Sequence, residues 1–281
     1  MFAAKTRINL VTGLFQQPSA TLGGENLDEK PPGIDWVRQL PSHRLAAPIT
    51  CFTDGHIKKA LYSDKINLAW LIEPRALHGS GEYVGVSYLR DHFRMIFTHD
   101  RELLNTEDKA RYVPFGGSWL RDWGIHAKTN LVSLLTSPKQ QTLGHQLRHR
   151  VANQFRDRIE IFGVPYTEYL PSKAPALRPY RYSIIIENVK TDYWFTEKLI
   201  DCFSQGTVPI YWGSNLEPFF NTAGVITFDT LDDLDRILPI LGEADYISRL
   251  PDIRENLKKA RQYRCAEYHI AKHLQAESIT V

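Results

Sequence analysis

The stretch of residues 182–213 constrains the fold more than any other part of the chain. It opens with residues 183–186, a short run rich in β-branched side chains that is typical of a strand buried on both faces. After a polar loop, four apolar residues recur at the spacing of one helical face: Phe195, Leu199, Cys202 and Phe203. A second apolar run follows at residues 208–212. The stretch therefore predicts a strand–helix–strand unit of a parallel sheet.

This unit places polar residues where parallel sheets bind their ligands, at the carboxyl end of a strand. Glu187 and Asn188 follow the first strand, and Glu197 and Lys198 lie in the first turn of the helix. The unpaired N–H groups and the positive dipole end of that turn favour an anion such as a phosphate. Glu197 would repel a phosphate unless it faces sugar hydroxyls or a carbon that becomes cationic. The combination indicates a sugar nucleotide.

Residues 187–213 read E-N-V-K-T-D-Y-W-F-T-E-K-L-I-D-C-F-S-Q-G-T-V-P-I-Y-W-G. This stretch resembles the donor-binding signature of the α1,3/4-fucosyltransferase family, in which an E-N pair precedes a Y-V-T-E-K helix start and a V-P-V/I-x-x-G strand. The resemblance implies two Rossmann-like domains that face each other across a cleft, the GT-B arrangement of glycosyltransferases. It also implies GDP-fucose as the donor and inversion at the anomeric carbon.

Carried over position by position, the resemblance implies that Asn188, Glu197 and Lys198 bind the donor. Trp194 stands where the family has a tyrosine, and Val189 stands where a serine often follows the E-N pair. We include Trp194 in the predicted donor site because its ring can stack on a ligand, although it lacks the hydroxyl of tyrosine.

The resemblance also implies an arginine that contacts the diphosphate, fifteen residues before a glycine that ends a strand. Counting back from Gly163 selects Arg148, whose guanidinium can bind two phosphate oxygens at once. Arg150 competes for the role. The alternative is that Arg148 belongs to a solvated basic helix face together with His145 and His149. Zinc binding by the two histidines is disfavoured, because no H-E-x-x-H glutamate or third ligand accompanies them.

The first half of the chain alternates short apolar runs with helical connectors, which favours a second parallel sheet. Strands are predicted at residues 7–11, 48–53, 67–72, 93–98 and 111–115, then at 131–135, 159–162 and 225–228. Helices are predicted at residues 145–155, from 231 to 238, and within 244–274. We predict an α/β fold with an acceptor-side domain at residues 1–125 and a donor-binding domain at residues 126–281, joined through residues 116–128.

Glu73 is the predicted catalytic base. It directly follows an apolar run, and Pro74 ends the strand there. Inverting glycosyl transfer needs a base to take the proton of the acceptor hydroxyl, and a carboxylate from the opposite domain can do so. The resembling family assigns this role to a glutamate at a similar strand end. The alternative is an ion pair of Glu73 with Arg75 or Arg90, and Glu82 is the second choice for the base.

Composition and short motifs limit the remaining options. A formal charge of +2 argues against a nucleic-acid partner, and the three widely spaced cysteines indicate neither a disulfide framework nor a zinc site. No D-x-D pair follows a strand, so we predict no metal and no cofactor other than the nucleotide-sugar donor. The amino terminus lacks an apolar run long enough for a signal or anchor, which predicts a soluble cytoplasmic protein. Animal members of the resembling family carry such an anchor, so the resemblance implies a bacterial or viral type, or a shortened chain.

Three other functions stay open at this point. The protein could transfer another sugar from its nucleotide, since no residue pattern in the sequence identifies recognition of the fucose methyl group or the guanine edge. It could be an inactive protein that binds a sugar nucleotide or a glycan, or a structural protein whose T-E-K helix is only a packed surface helix. As a transferase, it is expected to have a nucleotide sugar and a glycan or glycoconjugate acceptor as its partners.

Overall fold

The computed structural model describes residues 5–13, 15, 17–38, 47–78 and 81–279. Two parallel sheets organise this part of the chain. The first contains β1 to β6: Thr6–Val11, Ile34–Arg38, Ile49–Thr53, Ile66–Trp70, Met95–Thr98 and Ala110–Tyr112. The second contains β7 to β11: Asn130–Leu135, Glu160–Phe162, Tyr180–Ile186, Val208–Trp212 and Ile226–Thr227.

Helices connect and cover the strands. Helices α1 to α5 are Arg75–His78, Gly81–Tyr88, Arg101–Thr106, Leu143–Phe155 and Ala174–Leu177. Helices α6 to α10 are Glu197–Ser204, Leu231–Ile237, Glu243–Ser248, Leu250–Ala260 and Ala266–Ala276. Short 3-10 helices include Gly24–Asn26, Asp54–Tyr62, Arg90–His92, Thr222–Gly224, Leu238–Ile240 and Arg261–Tyr263. No helix of the described ranges combines the length and apolar character needed to cross a bilayer.

Both sheets are wound in the same way. The strand orders are β2-β1-β3-β4-β5-β6 and β11-β10-β9-β7-β8, so in each sheet the first strand lies between the second and the third. A parallel sheet with this order changes its winding direction between the first and third strands, and ligands bind at the carboxyl ends there. The predicted α/β class with two Rossmann-like sheets is confirmed.

Apolar residues cover both faces of the second sheet, as the sequence predicts. On one face Ile184 and Ile210 pack with Val151 and Phe155 of α4. On the other face Ile185 and Tyr211 pack with a set of residues from α6: Leu199, Ile200, Cys202 and Phe203. The helices that follow β7 and β9 therefore lie on opposite faces, which leaves a gap between them at the carboxyl edge.

The last helix returns to the first sheet. Ile270, Ala271 and Leu274 of α10 pack against the core residues of β1, β3, β4 and β5. Fully buried Glu267 accepts hydrogen bonds from Ser19 Oγ at 2.7 Å and Thr21 Oγ1 at 2.9 Å. The predicted second domain, residues 126–281, thus ends in a helix that packs on the first sheet. The boundary near residue 125 stays a prediction.

The chain crosses between the sheets at residues 113–129 and again at residues 261–265, and the two crossings touch. The N–H of Gly117 donates to the carbonyl of Tyr263 at 2.9 Å. Gly116 and Gly117 have φ values of +52° and +96°, and a Cβ on Gly116 would lie 2.1 Å from the Tyr263 carbonyl oxygen. Only glycine fits this junction without strain.

Four elements differ from the predictions. Strand β2 and helix α2 were not predicted, and the helical stretch 244–274 is divided into α8, α9 and α10. Pro251 lies in the first turn of α9, where proline is tolerated because its missing N–H has no intrahelical partner. The predicted strand at 111–115 lies at Ala110–Tyr112, and its last residues instead belong to the first crossing.

Candidate active site

The carboxyl end of β9 lies between the N-termini of α4 and α6. The N–H of Gly144, in the first turn of α4, donates to the carbonyl of Asn188 at 3.0 Å. A Cβ on Gly144 would lie 1.8 Å from the Glu187 carbonyl oxygen, so the helix contacts the strand end backbone to backbone. Thr142 caps α4 and Thr196 caps α6. Two positive helix ends therefore meet at the position where the second sheet reverses its winding.

Arg148 projects from α4 into this position and is 6% exposed. Its Nη2 donates to the Ile186 carbonyl at 2.7 Å and lies 3.4 Å from Asn188 Oδ1. Burial lowers the pKa of Arg148, and the nearby charges of Glu187 and Glu197 oppose that effect. Among the described residues, no carboxylate lies within 4 Å of this guanidinium. The alternative of a solvated basic face is wrong for Arg148, whereas Arg150 is exposed.

Glu187 joins the end of β9 to the start of α6. Its carboxylate is fully buried and accepts hydrogen bonds from the N–H and the hydroxyl of Thr196, both at 2.8 Å. Lys198 Nζ lies 3.4 Å from the same carboxylate and 3.0 Å from Thr196 Oγ1. The ammonium group of Lys198 is thereby held beside the helix N-terminus.

Glu197 is ion-paired on two sides. Its carboxylate lies 3.3 Å from Lys173 Nζ and 3.8 Å from Lys198 Nζ. Burial by itself would raise the pKa of Glu197, but the two ammonium groups outweigh burial and lower the pKa to about 2. Lys173 also pairs with the fully buried Asp201 at 2.9 Å. Glu197 therefore stays ionised at every pH at which the protein would be assayed.

Trp194 lies at the contact between the two sheets. It is 2% exposed, and its ring centroid lies 6.0 Å from that of His99, which follows β5. Trp194 Nε1 and His99 Nδ1 are buried atoms without a hydrogen-bond partner among the described residues. Close by, Tyr112 donates from its hydroxyl to the Tyr193 carbonyl at 3.2 Å. The carboxyl ends of β5 and β6 thus face the loop that leads from β9 to α6.

Glu73 lies in the loop that follows β4, and the backbone of this loop forms hydrogen bonds with two neighbouring side chains. Asp54 Oδ1 accepts from the N–H groups of Ile72 at 2.9 Å and of Glu73 at 3.4 Å. The hydroxyl of Tyr83 donates to the Glu73 carbonyl at 2.6 Å and lies 3.5 Å from His99 Nε2. Through His99, the loop with Glu73 is adjacent to the loop with Trp194.

The predicted site residues therefore form two groups. Four of them surround the carboxyl end of β9: Arg148, Asn188, Glu197 and Lys198. The second group consists of Trp194, at the contact between the sheets, and Glu73, in the loop after β4. Tyr83 and His99 lie between these two residues. Arg75, the alternative partner of Glu73, pairs with Asp100 at 2.8 Å and Glu102 at 3.2 Å.

Sequence reasoning did not assign a role to Glu187, Thr196, Lys173 or Asp201. The sequence does contain a signal for Thr196 and Glu187. A threonine directly before an acidic residue and an apolar run is a helix N-cap pattern, which Thr196 fits. A buried glutamate ending a strand would need partners, and that cap is nine residues away. Lys173 carried no such signal, since it comes from a proline-rich loop in which spacing predicts nothing.

The histidines of α4 have structural roles. His145 completes the capping box of α4 with Thr142, and burial followed by the charge of Arg148 lowers the pKa of His145 to about 4. His149 contacts the Tyr166 hydroxyl at 3.2 Å. No group of three or more metal-ligating side chains is present in the described part of the chain.

Comparison with known proteins identifies the fold. No protein-family model matches the chain, and no curated protein matches its sequence. A solved α1,3-fucosyltransferase structure is similar over 92% of this chain and 88% of its own, with a TM-score of 0.58 and 14% identity. An α1,3-fucosyltransferase structure with GDP-fucose has a TM-score of 0.56 over 92% of this chain and 89% of its own, at 12% identity.

A further structure, S. aureus TarM in complex with Fondaparinux, alpha-GlcNAc-glycerol and UDP, is similar over 80% of this chain and 55% of its own. Its TM-score is 0.50 and its identity is 11%. The chain therefore has the two-domain GT-B fold found in α1,3-fucosyltransferase structures.

Proposed function

We propose that the protein is an inverting glycosyltransferase that transfers fucose from GDP-fucose to a hydroxyl group of a glycan. One observation carries this proposal. Arg148, Asn188 and Lys198 meet at the carboxyl end of β9, between two helix N-termini. A diphosphate suits that position, because it would meet a guanidinium, an ammonium and two helix dipoles at once.

In the proposed reaction, the second domain holds the donor. As the bond between the anomeric carbon and the β-phosphate oxygen breaks, its electron pair passes to GDP. Arg148 and Lys198 stabilise that negative charge, and this stabilisation makes the largest contribution to lowering the activation free energy. Asn188 contacts the ribose or the sugar. Glu197, kept ionised by its two lysines, orients sugar hydroxyls and stabilises positive charge on the ring.

The first domain supplies the acceptor and the base. The Glu73 carboxylate takes the proton of the acceptor hydroxyl while that oxygen attacks the anomeric carbon from the opposite side. Asp54 accepts hydrogen bonds from the backbone N–H groups of this loop, and Tyr83 donates one to the Glu73 carbonyl. These bonds support the assignment, since a catalytic base needs a fixed position. Trp194 lies on the donor side of the contact between the domains, where its buried ring packs against His99 of the first domain.

The test is a panel of nucleotide sugars that includes GDP-fucose, GDP-mannose, UDP-glucose and UDP-N-acetylglucosamine. We expect slow hydrolysis of GDP-fucose without acceptor, and faster turnover when a glycan mixture is added. We also expect EDTA to leave the rate unchanged. Selective turnover of a UDP-sugar would replace the donor assignment, and a shift in melting temperature without any turnover would favour an inactive binding protein.

A further inference from the structure

A groove lies between α2 and α3 on the first domain. Its volume is about 260 Å³, at the small end of ligand pockets, so it has room for a single ring rather than a long chain. It is lined by Arg75, Tyr83, Val84, Ser87, Tyr88, Arg90, Glu102, Leu103 and Thr106. Tyr88 is 85% exposed and Val84 is 45% exposed. One wall of the groove is therefore an aromatic and apolar surface that faces solvent.

The charges in the groove are balanced. Arg75 binds Asp100 through two hydrogen bonds of 2.8 and 2.9 Å and pairs with Glu102 at 3.2 Å. The guanidinium of Arg75 also lies over the Tyr83 ring, 4.5 Å from its centroid. With Arg90 as the other cation, the lining offers donors and acceptors together without a strong excess of either sign. Such a lining suits hydroxyl groups, which both donate and accept, better than a phosphate or a sulfate.

Tyr83 connects the groove to the loop of Glu73. Its ring forms part of the lining, it is 1% exposed, and its hydroxyl donates to the Glu73 carbonyl at 2.6 Å. Arg75, at the same end of the groove, is two residues beyond Glu73 in sequence. A ring bound in the groove would thus lie next to the segment that carries the proposed base.

We infer that the groove between α2 and α3 is a binding subsite for a neutral sugar ring of the acceptor, beyond the ring that receives fucose. Tyr88 provides the stacking face, and Arg75, Arg90 and Glu102 bind ring hydroxyls. This inference rests on the proposed function, because it takes the acceptor to be a glycan.

The first experiment measures binding without any donor. Methyl β-galactoside, methyl β-glucoside, methyl β-N-acetylglucosaminide and the disaccharides built from them are tested by saturation-transfer NMR. We expect at least one to give a signal that is lost in Tyr88→Ala and in Ser87→Trp, which fills the groove. Tyr62→Ala is the matched control, because Tyr62 is 88% exposed on the same domain but does not line the groove. Unchanged melting temperatures show that the variants fold.

Absence of a signal for every sugar with the wild-type protein, or a signal unchanged in both groove variants, would overturn the subsite. Because GDP-fucose is not present, this outcome is separate from failure of fucosyl transfer. In the transfer assay, Tyr88→Ala should raise KM for a disaccharide acceptor roughly three- to tenfold, the scale of one aromatic contact. The kcat value and the KM for GDP-fucose should not change. An equal effect of Tyr62→Ala would also contradict the inference.

Discussion

At the scale of single residues, Arg148 and Arg150 show what spacing can and cannot predict. They lie two positions apart on α4, so the sequence leaves both as candidates for the phosphate contact. The structure separates them because α4 packs one face on the second sheet, which buries Arg148 at 6% exposure and leaves Arg150 in solvent. Burial of this kind depends on the neighbouring strands and cannot be obtained from the helix alone.

We expect Arg148→Ala and Lys198→Ala each to weaken GDP binding roughly 10- to 100-fold, the scale of one hydrogen bond to a charged group. Arg148→Lys should lose less, since it keeps the charge but not the planar fork. Isothermal titration with GDP measures the effect. Arg150→Ala is the matched control from the same helix and should bind GDP normally. Equal affinities in all four variants would remove the diphosphate site.

Glu73→Gln should leave GDP-fucose binding intact and lower the transfer rate by about 10²-fold or more, because the amide cannot accept the acceptor proton. The measurement is kcat for transfer together with the dissociation constant for the donor. Glu82→Gln serves as the comparison. If only the Glu82 variant loses activity, the base is Glu82.

Gly144→Ala tests the close approach of α4 to β9. The added methyl group would lie 1.8 Å from the Glu187 carbonyl oxygen, so the helix must move. We expect a loss of stability of about 1–3 kcal/mol, typical of overpacking, together with weaker GDP binding. Gly85→Ala is a matched helical control with open space around its new methyl group, and it should be neutral or stabilising. Thermal unfolding distinguishes the two.

At the scale of elements, the second sheet is predicted more accurately than the first. The strand predicted at 208–212 lies at Val208–Trp212, and the one predicted at 131–135 lies at Asn130–Leu135. These strands are apolar on both faces, which gives a strong signal. Helix α2, with the sequence GEYVGVSY, carries two glycines and several residues of low helix propensity. It is held by Tyr83 and Val86 packing into the core, and the sequence pattern does not contain that information.

The cap of α6 provides a prediction at this scale. Thr196→Ala removes the cap and one of the two hydrogen bonds to Glu187 and should cost about 1 kcal/mol. It should also weaken GDP binding, because Lys198 loses a partner that holds it. Thr230→Ala removes the corresponding cap of α7, and the Thr230 side chain bonds to Asp233 rather than to Glu187 or Lys198. A similar loss of stability with normal GDP affinity is expected there, and equal GDP affinities in both variants would contradict the positioning role.

At the scale of the whole molecule, the contact between the domains should make stability depend on pH. Burial lowers the pKa of His99 from its ordinary value of 6.5 to about 4. The unfolded chain therefore binds this proton at a higher pH than the folded protein does. The contribution of neutral His99 to stability is complete above about pH 6.5 and is lost as the pH falls toward 4.

We expect urea unfolding of the wild-type protein to show a decrease in free energy over this window, with a slope of at most about 1.4 kcal/mol per pH unit for one group. His145, whose pKa is also about 4, contributes in the same direction. His99→Gln should reduce the slope, whereas His92→Gln, at an exposed position on the same domain, should not. Identical slopes in His99→Gln and the wild-type protein would show that His99 does not titrate as described.

The double crossing between the sheets has a mechanical consequence. Since both connections pass through one junction at Gly117 and Tyr263, we expect any relative motion of the two halves to be a rotation about that junction. Such a rotation would break the contacts between the halves, among them the ring contact of His99 with Trp194 and the ion pair of Arg101 with Asp192.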